Sequence, residues 1–425
     1  MKYRKSLTSI KASRAVTLSC WFVYMVAYIT RNTYPASIVH LTSAGLMGQS
    51  QAGLISTCYF VMYGVGHLVN GFLADRISPV FMLITGICGT AAANVTMTLV
   101  MPNAPVMTVI WCLNGWFESM LWAPIVAMLS GMIAPSMRQK AMQAISSSRC
   151  TGMITAYLLT ALSSYFSFGI SVPYVIAACC AAVTCVLLAV VVKHSFSAPD
   201  IIEFELPSKK EKGDKPSLPV YKLLAASGAF VFALPAVFHG MLKDGVNTWV
   251  PSFLKDCFHT DESFSTLLAI AVPVAGLFGV FFGNFLLGRK KLRKNHSVIG
   301  IIIMLLTAVP TSLLLGAEYL PFFVGVICLC LIALLMEGFC HIFSVMMPTE
   351  FAVFGKASTV SGIFNSLIYA GSALSTYVFG AVAEHIGWNM TVALWLALAL
   401  VSALILIIGI KPWNRFLSGS KSFPF

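Results

Sequence analysis

Charge is scarce in this sequence. Only 10% of its 425 residues are Asp, Glu, Lys or Arg, and the acids number 15, against roughly 25% charged residues in a soluble domain. That shortage excludes an ordinary soluble globular chain. The local patterns of enzyme chemistry are missing as well. There is no glycine-rich nucleotide loop and no repeated C-x-x-C, and the hydroxyls of Ser146, Ser147 and Ser148 have no visible base. Cys328 and Cys330 are one residue apart inside an apolar run. The twelve cysteines read as small hydrophobes, with Cys257 in an expected outer loop. An enzyme is not expected, nor is a cofactor or metal.

Apolar length is abundant. Hydrophobic residues make up 58% of the chain, and runs of about 20 recur from end to end, each long enough to cross a hydrocarbon core. The runs are continuous rather than alternating, which argues against a transmembrane barrel. The first, near 16–39, is too long for a signal-peptide core and lacks a small-residue cleavage site, so it is expected to remain as a helix. The pattern predicts an all-α membrane protein of twelve transmembrane helices, near 16–39, 51–74, 79–100, 107–134, 139–166, 172–192, 223–253, 263–287, 296–315, 321–347, 357–383 and 389–410. The polar stretch Lys193–Leu218 divides them six and six. Residues 1–192 then form one six-helix bundle, 193–222 a cytoplasmic linker too polar to fold alone, and 223–425 a second bundle.

The net charge of +12 suggests nucleic acid until its placement is examined. With an inner N-terminus, all but four of the 27 basic residues fall in segments on one side, as the positive-inside rule requires. Both termini are therefore expected in the cytoplasm. The excess is topological, and no nucleic-acid partner is expected.

Of the four exceptions, Lys255 lies in an expected outer loop; Arg31, Arg149 and Lys243 lie within apolar segments. An Arg or Lys at mid-bilayer costs about 2.5–3.5 kcal/mol unless it meets water, a partner or a ligand. Arg31 and Lys243 sit at comparable depth on the first helix of each half, where a repeat relationship would bring them to a shared central site. Tyr24 and Tyr28 precede Arg31 on the same helical face. His239 and Asn247 flank Lys243 by one turn on either side. Arg149 lies among Ser146, Ser147, Ser148 and Thr151, and His67 adds a titratable group. Several cations with few acids point to an anionic ligand. Pairing within the protein stays open, because Asp244 adjoins Lys243 and both Glu118 and Glu337 are intramembrane. Glu118, or Glu337 with His341 at i,i+4, could relay protons.

Several motifs add a resemblance. Gly71-Phe72-Leu73-Ala74-Asp75-Arg76 resembles the G-x-L-a-D-R loop of the major facilitator superfamily, which implies a gating role for Asp75 and Arg76. Tyr24 through Asn32, Tyr63-Gly64-Val65-Gly66-His67, Asn114 through Pro124, and Trp249-Val250-Pro251-Ser252-Phe253 resemble the organophosphate:phosphate antiporters, which include glycerol-3-phosphate and hexose-phosphate transporters. The resemblance implies a major facilitator fold of two six-helix bundles and alternating-access exchange of a phosphorylated metabolite for inorganic phosphate. Arg31 falls on that family's phosphate-binding Arg. Lys243 falls on its second Arg, Arg149 on a His, His67 on a position often Lys, and Glu118 on a Gln, so the positive character is kept with different geometry. A multi-pass inner-membrane protein of a bacterium, monomeric in the bilayer, is expected. Proton-driven carboxylate uptake and a transporter-like phosphoester sensor are the other two readings.

Overall fold

The structure, a computed structural model, describes residues 3–7, 9–73, 77–195, 201–205, 219–289, 292, 295–351, 354 and 356–419. The chain divides into two compact units. The first holds Met1–Leu41 and Val61–Asp214, the second Thr42–Phe60 and Lys215–Phe425. Residues 42–60 thus group with the C-terminal part of the chain, which chain order does not suggest.

The N-terminal half runs through α1 (Ile10–Ser43), α2 (Gln49–Leu73), α3 (Pro79–Val100), α4 (Ala104–Ser119), α5 (Trp122–Gly131), α6 (Arg138–Tyr165) and α7 (Val172–Ser195). Pro79 begins α3 at a position where its missing N–H is harmless, and the Asn103 side chain accepts from Val106 N–H to cap α4. The helix expected at 107–134 is interrupted. Met120 and Leu121 donate to the carbonyls three residues back, and Pro124 removes the amide that would have bonded the Met120 carbonyl. Val16, Val23, Leu83, Ile87, Leu129 and Leu188 form the apolar core of this unit.

One element departs from all-helical structure. Strand β1 (Tyr3–Leu7) pairs antiparallel with β2 (Ile201–Glu205), Tyr3 opposite Glu205 and Leu7 opposite Ile201. Part of the polar stretch read as linker is therefore ordered by pairing its backbone. Leu7 N–H also bonds the Met132 carbonyl at 2.9 Å. The lysines at 209, 210, 212 and 215 lie outside the described residues.

The C-terminal half contains α8 (Val220–Ser227), α9 (Ala233–Gly240), α10 (Val246–Phe258), α11 (Glu262–Leu268), α12 (Ala271–Gly288), α13 (His296–Leu314), α14 (Phe322–Cys340), α15 (Met347–Thr349), α16 (Ala357–His385) and α17 (Trp388–Gly419). Gly228, with φ of +69°, turns the chain after α8. Two wide π turns, Met241–Gly245 between α9 and α10 and His341–Met346 after α14, break the regular α ladder. Such turns are rare and concentrate at functional positions. Helix α10 continues to Phe258, so Lys255 and Cys257, expected in an outer loop, are helical. Trp249, Trp395, Trp413, Phe253 and Phe343 fill the core.

In the second unit the start of α2 is held to α16. Thr57 Oγ1 lies 2.6 Å from the Ala373 carbonyl and 2.9 Å from Thr376 Oγ1, and the Ser50 amide donates to Glu384 at 2.6 Å. Gln49 Nε2 donates to Asp256 at 3.0 Å, and Trp388 Nε1 donates to the same oxygen at 2.9 Å.

Among the described residues, ten helices are long and apolar enough to cross a membrane. The predicted fourth and fifth helices do not qualify. The fourth is split into α4 and α5, and α6 carries Arg138, Lys140, Arg149 and a run of serines. Leu99, Val183 and Phe281 are among many large apolar side chains on the surface, where hydrocarbon rather than water is the fitting solvent.

Candidate functional site

Each unit holds its own cationic group. In the first, Arg31 is 9% exposed on α1. Its guanidinium lies 4.8 Å from the centre of the Tyr63 ring and 5.4 Å from that of Tyr28. Tyr63 meets His67 edge-on at 4.4 Å, and Tyr28 meets Tyr24 likewise at 5.1 Å. Aromatic faces stabilise a cation by about 0.5–2 kcal/mol each.

Helix α6 completes this group because Gly152 lets it approach α1. A methyl at Gly152 would fall 2.2 Å from the Met25 carbonyl oxygen and 2.6 Å from Tyr28 Cβ. Arg149, half-buried and three residues earlier, is within electrostatic reach of Tyr24, while His67 is within reach of Arg31. Trp21 Nε1 donates to Ser147 at 3.0 Å and ties the two helices again. The structure thus brings Tyr24, Tyr28, Arg31, His67 and Arg149 into one neighbourhood and adds Tyr63. Sequence reasoning left Tyr63 out, although it lies four residues before His67 on the same face of α2.

Glu118 is buried beside α1 at Thr30. It is 4% exposed; Asn114 Nδ2 donates to its Oε1 at 3.2 Å, and the hydroxyls of Thr30 and Thr90 lie 3.4 Å away. Thr90 also donates to Asn114 Oδ1. Asp75 and Arg76, the expected gating pair, lie outside the described residues.

The second unit is arranged differently. Lys243 Nζ sits 2.8 Å from Asp244 Oδ1 and 3.9 Å from Glu337 Oε1, with all three side chains only 10–13% exposed. Asp244 uses its other oxygen to accept from Ser372 Oγ at 2.7 Å. At about 4 Å a charge pair attracts by roughly 4 kcal/mol at an effective dielectric near 20. The pairing alternative open at Asp244 and Glu337 is what this unit contains. Asn247 is half-buried beyond the π turn.

Two of the predicted residues lie in other surroundings. His239, expected to line the site, is 0% exposed and stacked on Phe339 at 4.8 Å, because its helix turns that face into the aromatic core. Glu337 and His341, expected to act as a pair, have separate partners: Glu337 reaches Lys243, whereas His341 Nε2 lies 2.9 Å from Asn284 Oδ1. The i,i+4 spacing is kept, since the His341 amide bonds the Glu337 carbonyl, but the two side chains reach different neighbours.

Comparison with known proteins places the fold. The family description Major Facilitator Superfamily matches residues 20–376, and the chain belongs to that superfamily as a multi-pass membrane protein. It is similar to the "Probable hexose phosphate transport protein" of Chlamydia trachomatis, with 22% identity over 93% of this chain and 90% of that protein. It is also similar to the glycerol-3-phosphate transporter of Bacillus subtilis, with 23% identity over 88% of this chain and 87% of the relative. Among solved structures, the nucleoside transporter NupG superposes with a TM-score of 0.67 at 15% identity, covering 94% of this chain and 99% of the other.

Proposed function

We propose that this chain moves a small phosphorylated metabolite across the membrane by alternating access, with Arg31 as the principal phosphate ligand. The supporting observation is the Arg31 group itself. A buried guanidinium is flanked by the rings of Tyr28 and Tyr63, with Arg149 and His67 nearby. Hydrogen bonds from charged donors to a phosphate contribute about 1.5–3 kcal/mol each. The hexose-phosphate and glycerol-phosphate names of the relatives agree with a phosphoester, and inorganic phosphate fits the same donors as the counter-substrate. Tyr24 and Tyr28 add hydroxyl donors. The α4–α5 pair and α6 supply the remaining two crossings of a twelve-helix protein, whose basic segments put both termini in the cytoplasm. Asp75 and Arg76 serve as an inner gate, as the motif resemblance implies.

Counterflow in phosphate-loaded proteoliposomes tests this reading, with glycerol 3-phosphate, glucose 6-phosphate and a carboxylate panel as external solutes. Saturable exchange of a phosphoester, lost in Arg31→Gln, is the expected result. Exchange confined to carboxylates, or unchanged in Arg31→Gln, overturns it. Binding without movement identifies a sensor instead.

A further inference from the structure

Toward the start of α1 and α6, before the bond from Trp21 to Ser147, the two helices enclose an open groove of about 440 Å³, a volume common for small-ligand sites. Among the described residues it is lined by Arg14, Thr17, Leu18 and Trp21 of α1, with Met137 and Ala144 from α6 and the turn before it. The lining is graded. Leu18, Trp21, Met137 and Ala144 form an apolar trough, and Arg14 stands at the end nearest the start of both helices. Lys11 lies one turn before Arg14, and Lys140 one turn before Ala144, so three exposed cations gather where the trough begins. Neither helix offers an acid to balance them, since the sequence has none from residue 1 to 74 or from 119 to 199. Of the acids on β2, Glu203 stands opposite Lys5 and Glu205 opposite Tyr3 within the ribbon.

The trough itself suits hydrocarbon. Thr17 carries the one hydroxyl in the described lining, and it already donates to the Ser13 carbonyl at 2.8 Å. A hydroxyl-rich metabolite would find little to bond there. The same line of α6 stays apolar and open further on, where Leu162, five turns beyond Ala144, is 44% exposed. We infer that this groove holds one anionic phospholipid, its phosphate gripped by Lys11, Arg14 and Lys140 and one acyl chain laid along Leu18, Trp21, Met137 and Ala144. Basic pockets between spanning helices take such headgroups, each nearby Lys or Arg adding to the attraction. A zwitterionic lipid brings a second cation that these three repel. Seated there, the lipid braces α1 against α6, the helix that carries Arg149.

The test uses the full chain in two settings. Native mass spectrometry in detergent follows the retention of added dioleoylphosphatidylglycerol or dioleoylphosphatidylcholine. Vesicles of each lipid with brominated chains, which quench a tryptophan they touch, then report on the groove. Wild type is expected to retain one phosphatidylglycerol in preference to phosphatidylcholine, and the brominated anionic lipid to quench a component that is absent in Trp21→Phe. Arg14→Gln is expected to bind phosphatidylglycerol about fivefold less tightly, the effect of one cation beside an anionic headgroup, and Arg14→Lys to stay near wild type. Ala144→Phe, which fills the trough, should lose the bound lipid. Lys411→Gln, at an exposed cation of the second unit, should leave retention unchanged. Equal retention of the two lipids by wild type overturns the inference and requires no variant to fold. Equal losses in Arg14→Gln and Lys411→Gln, or quenching unaltered in Trp21→Phe, overturn it as well. So does displacement of the lipid by glycerol 3-phosphate, which would give the groove to a free phosphoester. No transport is measured, so the transport reading stands or falls separately.

Discussion

Arg31 and Lys243 look alike in the sequence, one cation early in each half, yet their surroundings are opposite. Arg31 is set against the faces of Tyr63 and Tyr28. Lys243 is set against the carboxylates of Asp244 and Glu337. Two halves built from the same helical plan thus surround their cations with different chemistry, π faces in one and carboxylate oxygens in the other.

The contrast is broken most forcefully at Lys243. Lys243→Met leaves Asp244 and Glu337 buried without their cation, which should destabilise the protein by about 3–5 kcal/mol; thermal unfolding in detergent reads this as a large fall in Tm. Arg31→Met should do the reverse, weakening phosphoester binding about 100-fold, near 2.7 kcal/mol, with a small change in Tm. Equal Tm losses in the two variants would erase the distinction. Next in size is Gly279→Ala, since the added methyl would meet the Leu334 carbonyl oxygen at 2.2 Å. Overpacking of that kind costs about 1–3 kcal/mol and should lower the Tm in detergent by less than Lys243→Met does. The smallest effect is at Tyr63. Tyr63→Leu removes a cation–π face and should weaken binding by about 0.5–2 kcal/mol, whereas Tyr63→Phe should stay near wild type in a titration with glycerol 3-phosphate.

Much of this was legible in the sequence because hydrocarbon is a simple solvent. Continuous apolar runs marked the spans, and the high insertion cost of Arg31, Arg149 and Lys243 marked them as residues needing an explanation. What escaped depends on distant or irregular backbone. Glu337 lies ninety-four residues from Lys243 in sequence, and no local pattern joins them. The one-turn spacing of His239 and Lys243 crosses the π turn Met241–Gly245, which no residue pattern announces. The break between α4 and α5 was readable in Pro124 but hidden by the apolar residues around it. The pairing of β1 with β2 escaped a compositional reading of the linker, although Ile201–Glu205 holds a short apolar run. The grouping of Thr42–Phe60 with the C-terminal unit depends on contacts such as Thr57 to Ala373, which span over three hundred residues.

Helix α12 has two textures. One face is a line of glycines pressed against α14 at Glu337 and Gly338, and the other presents Phe278, Phe281 and Phe285 outward. Small residues allow such backbone approach where no hydrophobic force drives helices together. Over evolutionary time the two faces should drift at different speeds. The outward phenylalanines can be exchanged for any bulky apolar residue, while Gly279 has almost no substitute. An alignment of relatives that retain a carboxylate at position 337 should therefore show a smooth stripe beside a variable one, and the stripe should roughen wherever that carboxylate has been lost.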